Sequence, residues 1–494
     1  MWTAISLCLT LAVSDFVDSF ARPRRRPFCG GWRALLFRFA ALAWIWLVAL
    51  AISRRPAFAF VATIVTGVIL VVISNLKALS LAEPLVFADF AFLGPILRYP
   101  RLFYLERRAV LLIVAAIAVT LGLIVLWWHV EPVALGGAMW LIPLAGALAL
   151  PIVVLLRPGG GWLDRLAAGV APVPRLDGHL GSLGLVGSLA AYWTRWVDEG
   201  RRPQRGPSIP APVMERGDYD AVLVIQAESF VDLRRLGMAG LDLPAYDSLK
   251  ERARATGLIE VPCVGAYTLR PEAAAITGLG FDDLGFGGFH PYLRSRRLAP
   301  FALPRALHGE RWERIFVHPY DPAFFRREIA IPRFRFDRFA DISCFSEADR
   351  EGHYVGDLAV ADFLIGAFRK ARGEGKCLYA QAVTMEAHDP FGPGRLPGED
   401  DPVRQFVHHL RNADRMLARL AEALDAEARR VLLVHYGDHV PVLPGFADPF
   451  PDTRTDFLVV ELGREAEATP VLGTISRPEH LNALVRAALV LEAP

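Results

Sequence analysis

Long apolar runs are the feature that most limits what this chain can become. Residues 34–53, 57–74, 109–128 and 135–156 are each long and apolar enough to cross a bilayer, so the N-terminal third is expected to fold with lipid as its solvent. A shorter apolar stretch, residues 2–13, lacks a basic start and is followed by Arg22, Arg24, Arg25 and Arg26, which suits a first span better than a cleaved signal peptide. Five spans are therefore expected. The 53% hydrophobic content and mean hydropathy of +0.32 agree with a chain that lies partly in lipid. The net charge of +2 is too balanced to argue for or against nucleic acid. Between the third and fourth spans Asn75, Lys77, Glu83 and Asp89 sit among apolar residues. They read either as functional intramembrane charges or as an interfacial loop that reaches water, with a re-entrant element between the two.

The glycines of RPGGGW follow, then residues 179–197, where Leu183, Leu185, Val186, Leu189 and Tyr192 line one helical face and predict a juxtamembrane helix. The run GRRPQRGPSIPAP reads as an exposed linker. From there the pattern becomes α/β. Apolar runs at 221–225, 314–318, 377–383, 430–434 and 457–462 are buried-strand candidates, alternating with longer amphipathic stretches. Residues 403–420 carry Val403, Phe406, Val407, Leu410, Ala413, Met416, Leu417 and Leu420 at helical spacing, with His408 and His409 expected in solvent. The organisation is then a transmembrane domain over 1–157, a helix and linker over 158–217, and an α/β domain over 218–494. Five cysteines form no CxxC or Cys/His finger spacing, and only a Cys344 to Cys377 disulfide is conceivable.

In open α/β sheets ligands bind beyond the carboxyl ends of the strands, which directs attention to the polar residues after each apolar run. Glu228 follows AVLVIQA, His388 lies in QAVTMEAHDPF, and Asp438 with His439 follows VLLVHYG, where Gly437 is expected to make a tight turn. Thr268 stands at a predicted helix start, with Pro271 and Glu272 in the first turn. An ordinary helix cap would look the same. Glu228, Asp438, His439 and the hydroxyl of Thr268 together make an oxygen-rich set with one nitrogen, suited to Mn, Mg or Zn. Singly, the two acids read as caps or ion-pair partners and the histidines as polar loop residues. Arg270 is either a second phosphate contact or a surface residue of the helix's first turn.

The pieces IQAESF, YTLRPEAAAITGL, HPYDPAFFRREI, MEAHDPF and YGDHVP, in this order and behind five spans, resemble the lipoteichoic acid synthase family of phosphoglycerol transferases, within the alkaline phosphatase and sulfatase superfamily. The resemblance implies a multi-span helical membrane domain followed by an alkaline phosphatase-like α/β domain. It also implies that Glu228, Thr268, Asp438 and His439 hold one divalent ion, Mn before Mg or Zn, and that Arg327 and His388 hold the substrate phosphate. Two departures stand out: Phe325 occupies a position where that family often has tryptophan, and Leu269, Arg270 and Pro271 replace the commoner small and acidic residues after the threonine.

The chemistry implied is attack by Thr268 on a phospholipid phosphorus, followed by transfer to an acceptor hydroxyl. Phosphatidylglycerol is the expected donor, a polyglycerolphosphate chain or periplasmic glucan the expected acceptor, and no nucleic acid is involved. The rivals are a phosphoethanolamine transferase, a related phosphodiesterase or sulfatase-like hydrolase, and a non-catalytic membrane scaffold or transporter. Sulfatase chemistry itself starts from Cys or Ser in C/S-x-P-x-R, whereas Cys263 is followed by Val264, Gly265, Ala266 and Tyr267. Sidedness is contested. Five spans from a cytoplasmic N-terminus put the α/β domain outside the bacterial cytoplasmic (inner) membrane, as the resemblance implies, but put residues 22–26 outside too, against the positive-inside rule. The extracytoplasmic assignment is the one adopted.

Overall fold

The computed structural model describes residues 2–99, 107–157, 159, 161–204, 206, 214–215, 219–307, 310–443, 445–446, 450–466, 475–489 and 491–492. The expected boundaries at residues 158 and 217–218, and most of the expected linker over 200–212, lie outside the described residues. Two compact units, Met1–Pro203 and Gln204–Pro494, divide the chain.

The first unit is helical: α1 (Trp2–Asp18), α2 (Trp32–Ser53), α3 (Pro56–Leu81), α4 (Arg107–Val130), α5 (Leu141–Leu156) and α6 (Leu176–Glu199). Among the described residues three helices are long and apolar enough to cross a membrane, Trp32–Ser53, Pro56–Leu81 and Gly137–Leu156. The stretch expected as the first span is the 17-residue α1. Its polarity is inverted relative to a water-soluble helix. It exposes Trp2, Ile5, Leu9, Val13 and Phe16 while burying Ser6, Thr10, Ser14, Asp15 and Asp18. α3 repeats the pattern, with Val65, Val68, Ile69, Val72 and Ile73 outward and Thr63, Gly67 and Ser74 inward. An exterior of branched aliphatics around a polar seam is stable only where the surroundings are apolar.

Several buried charged groups of this unit pair with one another. Asp15 and Asp18 accept from Arg25, Arg38 lies 2.7 Å from Asp15, and Asp18 also takes the amides of Leu185 and Val186 where α6 kinks at Gly184. α3 runs past the expected span end at Ser74, so that Lys77 is helical and pairs with Glu83 and Asp89 at 2.7 Å each. Asn75 takes the Arg22 amide and donates to the Phe20 carbonyl. These charges close on themselves rather than lining a path or reaching out as a water-facing loop.

The second unit is built on a seven-stranded mixed sheet: β1 (Ala221–Ala227), β2 (Ala255–Ile259), β3 (Trp312–Val317), β4 (Arg338–Ala340), β5 (Cys377–Val383), β6 (Val431–Gly437) and β7 (Thr455–Leu462). The strand order is β2-β7-β6-β1-β5-β3-β4. From β6 to β4 every pairing is parallel, while β7 is antiparallel to both of its neighbours. All five expected strands are present, and β1 is buried at every position, as a strand covered on both faces must be. Helix α7 (Leu269–Thr277) carries the region after Thr268; α8 (Arg327–Arg333), α9 (Asp357–Gly373), α10 (Pro402–Glu427) and α11 (Pro478–Ala488) follow it. α10 packs against α9, and Phe406, Leu410, Ala413, Met416, Leu417 and Leu420 enter the core as their spacing predicts. His409 does not lie in solvent. It is fully buried against Glu386, while His408 is half-buried and pairs with Glu351. Cys344 and Cys377 are free thiols, so the conceivable disulfide is not formed.

Candidate active site

Parallel strands ending at one edge bring their next residues together. β1, β3, β5 and β6 are successively paired in parallel, and the residues after their last positions are Glu228, His318, Thr384 and Asp438. The Glu228 amide donates to Thr384 Oγ1 at 3.0 Å, which ties the ends of β1 and β5. One ligand atom from each of Glu228, Asp438 and His439 lies within 4.8 Å of the others, and all three residues are buried. Gly437 is not a turn residue, as had been expected. It ends β6, and any Cβ there would collide with the Phe230 carbonyl oxygen.

The bonds within this trio leave three atoms unspent. Glu228 Oε1 accepts from Ser229 Oγ at 2.9 Å, and Asp438 Oδ1 accepts the amides of Ser229 at 2.8 Å and His439 at 2.9 Å. His439 Nδ1 lies 3.2 Å from the Val440 carbonyl, to which it donates, so Nε2 carries the lone pair. Glu228 Oε2, Asp438 Oδ2 and His439 Nε2 have no hydrogen-bond partner although buried. Burial, and then the Asp438 carboxylate, push the Glu228 acid well above its usual range. Two carboxylates and an imidazole with open lone pairs facing one point fit a divalent cation of the Mn, Mg or Zn class.

Thr268 is brought to the same edge through its backbone. Its carbonyl accepts from Gln226 Nε2 at 3.1 Å, the Gly265 amide donates to the Val440 carbonyl at 3.1 Å, and Cys263 Sγ lies 3.6 Å from the Asp438 carbonyl. Thr268 precedes α7 and makes no side-chain capping bond, so its hydroxyl is not spent as an ordinary cap. Ser229 (φ 54°), Tyr267 (φ 67°), Phe325 (φ 57°) and Arg326 (φ 61°) adopt the left-handed region immediately beside Glu228, Thr268 and Arg327. Each such residue costs about 1–3 kcal/mol, a strain that clusters at functional sites.

Arg327, at the start of α8, is 1% exposed and is gripped by Glu272 one turn into α7: Nε lies 3.1 Å from both carboxylate oxygens and Nη2 lies 2.6 Å from Oε2. Its Nη1 donates to His318 Nε2 at 2.9 Å, and His318 Nδ1 donates to the Val383 carbonyl. Burial and the facing guanidinium hold His318 neutral, well below its usual pKa. With three of its five N–H bonds so used, Arg327 has one further proton on each Nη. His388 donates Nδ1 to the Asp389 carbonyl at 2.6 Å, and burial lowers it to about 4, so Nε2 is an acceptor at neutral pH. Arg270 is not on the surface. It is buried over the Tyr267 ring at 4.1 Å and donates to the Pro262 and Phe289 carbonyls.

His318 and Arg395 were not singled out from the sequence. His318 ends an apolar run that was recognised, so the same rule that found Glu228 finds it. Arg395 lies in FGPGRLPG, where no periodicity points inward.

The sulfatase family model matches residues 220–482. A capsular polysaccharide biosynthesis protein, RkpI, of Rhizobium meliloti (strain 1021) is 31% identical over 483 residues, 93% of this chain and 89% of that protein. A second protein of the same strain, provisionally assigned to cyclic β-1,2-glucan modification, is 26% identical over 247 residues, 48% of this chain and 38% of its own. Among solved structures, lipoteichoic acid synthase LtaP of Listeria monocytogenes aligns with TM-score 0.44 and 19% identity over 57% of this chain and 76% of that one. The Streptococcus pyogenes phosphoglycerol transferase GacH aligns with TM-score 0.40 and 18% identity over 50% and 68%.

Proposed function

We propose that this chain, which belongs to the sulfatase family, is a membrane-bound, metal-dependent transferase that moves phosphoglycerol from phosphatidylglycerol to a cell-envelope glycan on the extracytoplasmic face of the bacterial inner membrane. The observation that carries the reading is the buried trio of Glu228, Asp438 and His439, with one unspent atom on each, beside a threonine whose hydroxyl caps nothing. Glu228, Asp438, His439 and Thr268 would hold the divalent ion, which when bound favours the threonine alkoxide and offsets phosphoryl charge.

The protein's own groups then divide the work. Thr268 Oγ forms a bond to phosphorus as the bond from phosphorus to the diacylglycerol oxygen breaks; the proton given up by the Thr268 hydroxyl ends on the departing oxygen, so diacylglycerol leaves neutral and phosphoglycerol stays on the threonine. Arg327, fixed by Glu272 and His318, presents its remaining N–H groups to the phosphoryl oxygens. His388, neutral with Nε2 open, receives the proton of the incoming acceptor hydroxyl as that oxygen displaces Thr268. The same ring is not a resident acid at neutral pH, so it does not protonate the departing diacylglycerol. A glycan is favoured over polyglycerolphosphate as acceptor because the names of both relatives point to polysaccharide or glucan. A lipid donor is favoured because the same chain carries an inverted, lipid-facing unit, which keeps enzyme and headgroup at one surface.

The test is to incubate the purified full-length chain with Mn and either phosphatidylglycerol or phosphatidylethanolamine in detergent. Diacylglycerol release and the mass of the peptide bearing Thr268 are followed. A glycerophosphate adduct on Thr268 is expected. Consumption of phosphatidylethanolamine alone would transfer the assignment to phosphoethanolamine, and consumption of neither with a glucan acceptor present would overturn it.

A further inference from the structure

The loop after β5 that carries His388 is held from within by a buried arginine side chain. Arg395 is 3% exposed. Its Nη2 donates to the Glu386 carbonyl, its Nη1 to the carbonyls of His388 and Pro390, and its Nε to His409 Nε2 at 3.0 Å. The guanidinium lies 4.6 Å from the Phe391 ring centre and 5.5 Å from that of Tyr354, whose ring also lies 5.4 Å from the His388 ring. His409 Nδ1 and Asn412 Nδ2 donate to Glu386 Oε1 at 2.8 and 2.7 Å, and the Asp357 amide donates to Glu386 Oε2 at 2.6 Å. A charged pair, Arg395 and Glu386, is thus joined through a neutral histidine, with the two termini of the His388 turn bonded to it.

We propose that Arg395 is a positioning residue: its guanidinium fixes the backbone of residues 386–390 and, through it, the direction in which His388 Nε2 points. The link is geometric. His388 Nδ1 is bonded to the Asp389 carbonyl, and the carbonyls on either side of that one are the two held by Arg395 Nη1. The ring therefore turns only if the clamp lets go. Lysine cannot replace it, because one ammonium cannot reach three carbonyls and a ring nitrogen arranged around a planar fork. This inference rests on the reading of His388 as a transfer residue.

Two variants of the full-length chain separate positioning from folding. Replacing Arg395→Met together with Glu386→Gln removes both charges at similar volume, and Arg395→Lys keeps the charge but not the fork. The expected result is a fall in kcat of about 100-fold for diacylglycerol release from phosphatidylglycerol with KM and metal affinity unchanged, since a misplacement near 1 Å costs about that much. In a His388→Ala background the same changes cost nothing further, which a purely structural role would not predict. If the double variant does not fold, Arg395→Lys carries the test. Wild-type kcat in either folded variant, or the same loss with and without His388, overturns the proposal. An inactive wild type would count against the transfer reading instead. The clamp is then read without turnover from histidine ring nitrogen shifts: a single Nδ1–H tautomer of His388 is expected in the wild type and an averaged one in Arg395→Lys, and identical spectra would overturn it.

Discussion

In the first unit Asp15 and Asp18 are buried beside Arg25 and Arg38, and each of their carboxylate oxygens has a donor from an arginine or a backbone amide. In the second unit Glu228 and Asp438 are buried beside His439, and one oxygen of each has none. The chemical groups are similar, and the difference lies in the closure of the shell. Two acids with two guanidiniums form a closed unit that joins α1, α2 and α6. Two acids with an imidazole leave one oxygen of each acid without a donor, and burial together with the facing Asp438 carboxylate raises the Glu228 acid. A buried charge is therefore not by itself a sign of function; what sets the second group apart is that three neighbouring metal-ligating side chains each keep an unspent atom.

The largest effect expected is on transfer. Thr268→Ala and Asp438→Ala should each lower diacylglycerol release by more than about 1,000-fold, with Thr268→Ala still binding Mn by calorimetry and Asp438→Ala not. Retention of wild-type transfer by Thr268→Ala would remove the covalent route. Next in size is the cost of opening the closed cluster. Asp15→Ala strips Arg38 of its carboxylate and Arg25 of one of its two, and should destabilise the protein by about 3–5 kcal/mol, read as a lower thermal midpoint in detergent. Asp438→Asn in metal-stripped protein should be neutral or stabilising, because it removes a repulsion. If both substitutions destabilise alike, the two clusters are of one kind and the comparison breaks.

A smaller effect follows from ligand linkage. Mn at about 100 times its dissociation constant should stabilise the wild type by about 2.7 kcal/mol, and should do nothing for Asp438→Asn. The smallest concerns a third arrangement, His435, which lies in β6 edge-on to Phe230 with neither ring nitrogen bonded. Burial holds it down to about 3. Since its folded pKa is lowered, the unfolded chain takes up its proton first. Stability is full above about pH 6.5 and falls by about 1.4 kcal/mol per unit below it, down towards pH 3. His435→Leu should flatten the stability profile between pH 6 and 4 by that slope, and an unchanged profile would show that the ring finds a proton acceptor.

What could be read from the chain follows from where the information lies. The strands after Asp220 and the helix over 402–427 are local patterns, and the rule that sites gather at strand ends located Glu228, Asp438 and His439 before any coordinates. Arg327 with Glu272 spans 55 positions, and His409 with Glu386 spans 23. Periodicity carries no account of such pairs, so His409 was expected outside and Arg270 in the wrong surroundings. Of the arginines at residues 22–26, Arg25 is paired with Asp15 and Asp18 inside the unit, so a count of loop charges gives it more weight than it carries.

The convergence of strand ends also sets a timetable for biosynthesis. The Ser229 amide must meet a carboxylate 209 positions later. At ~5–20 residues per second the ribosome needs about 10–40 s to span that gap. Through that interval Glu228 and Thr268 exist without Asp438 and His439. A partly made chain thus lacks two of the three buried ligand candidates until its last eighth is made.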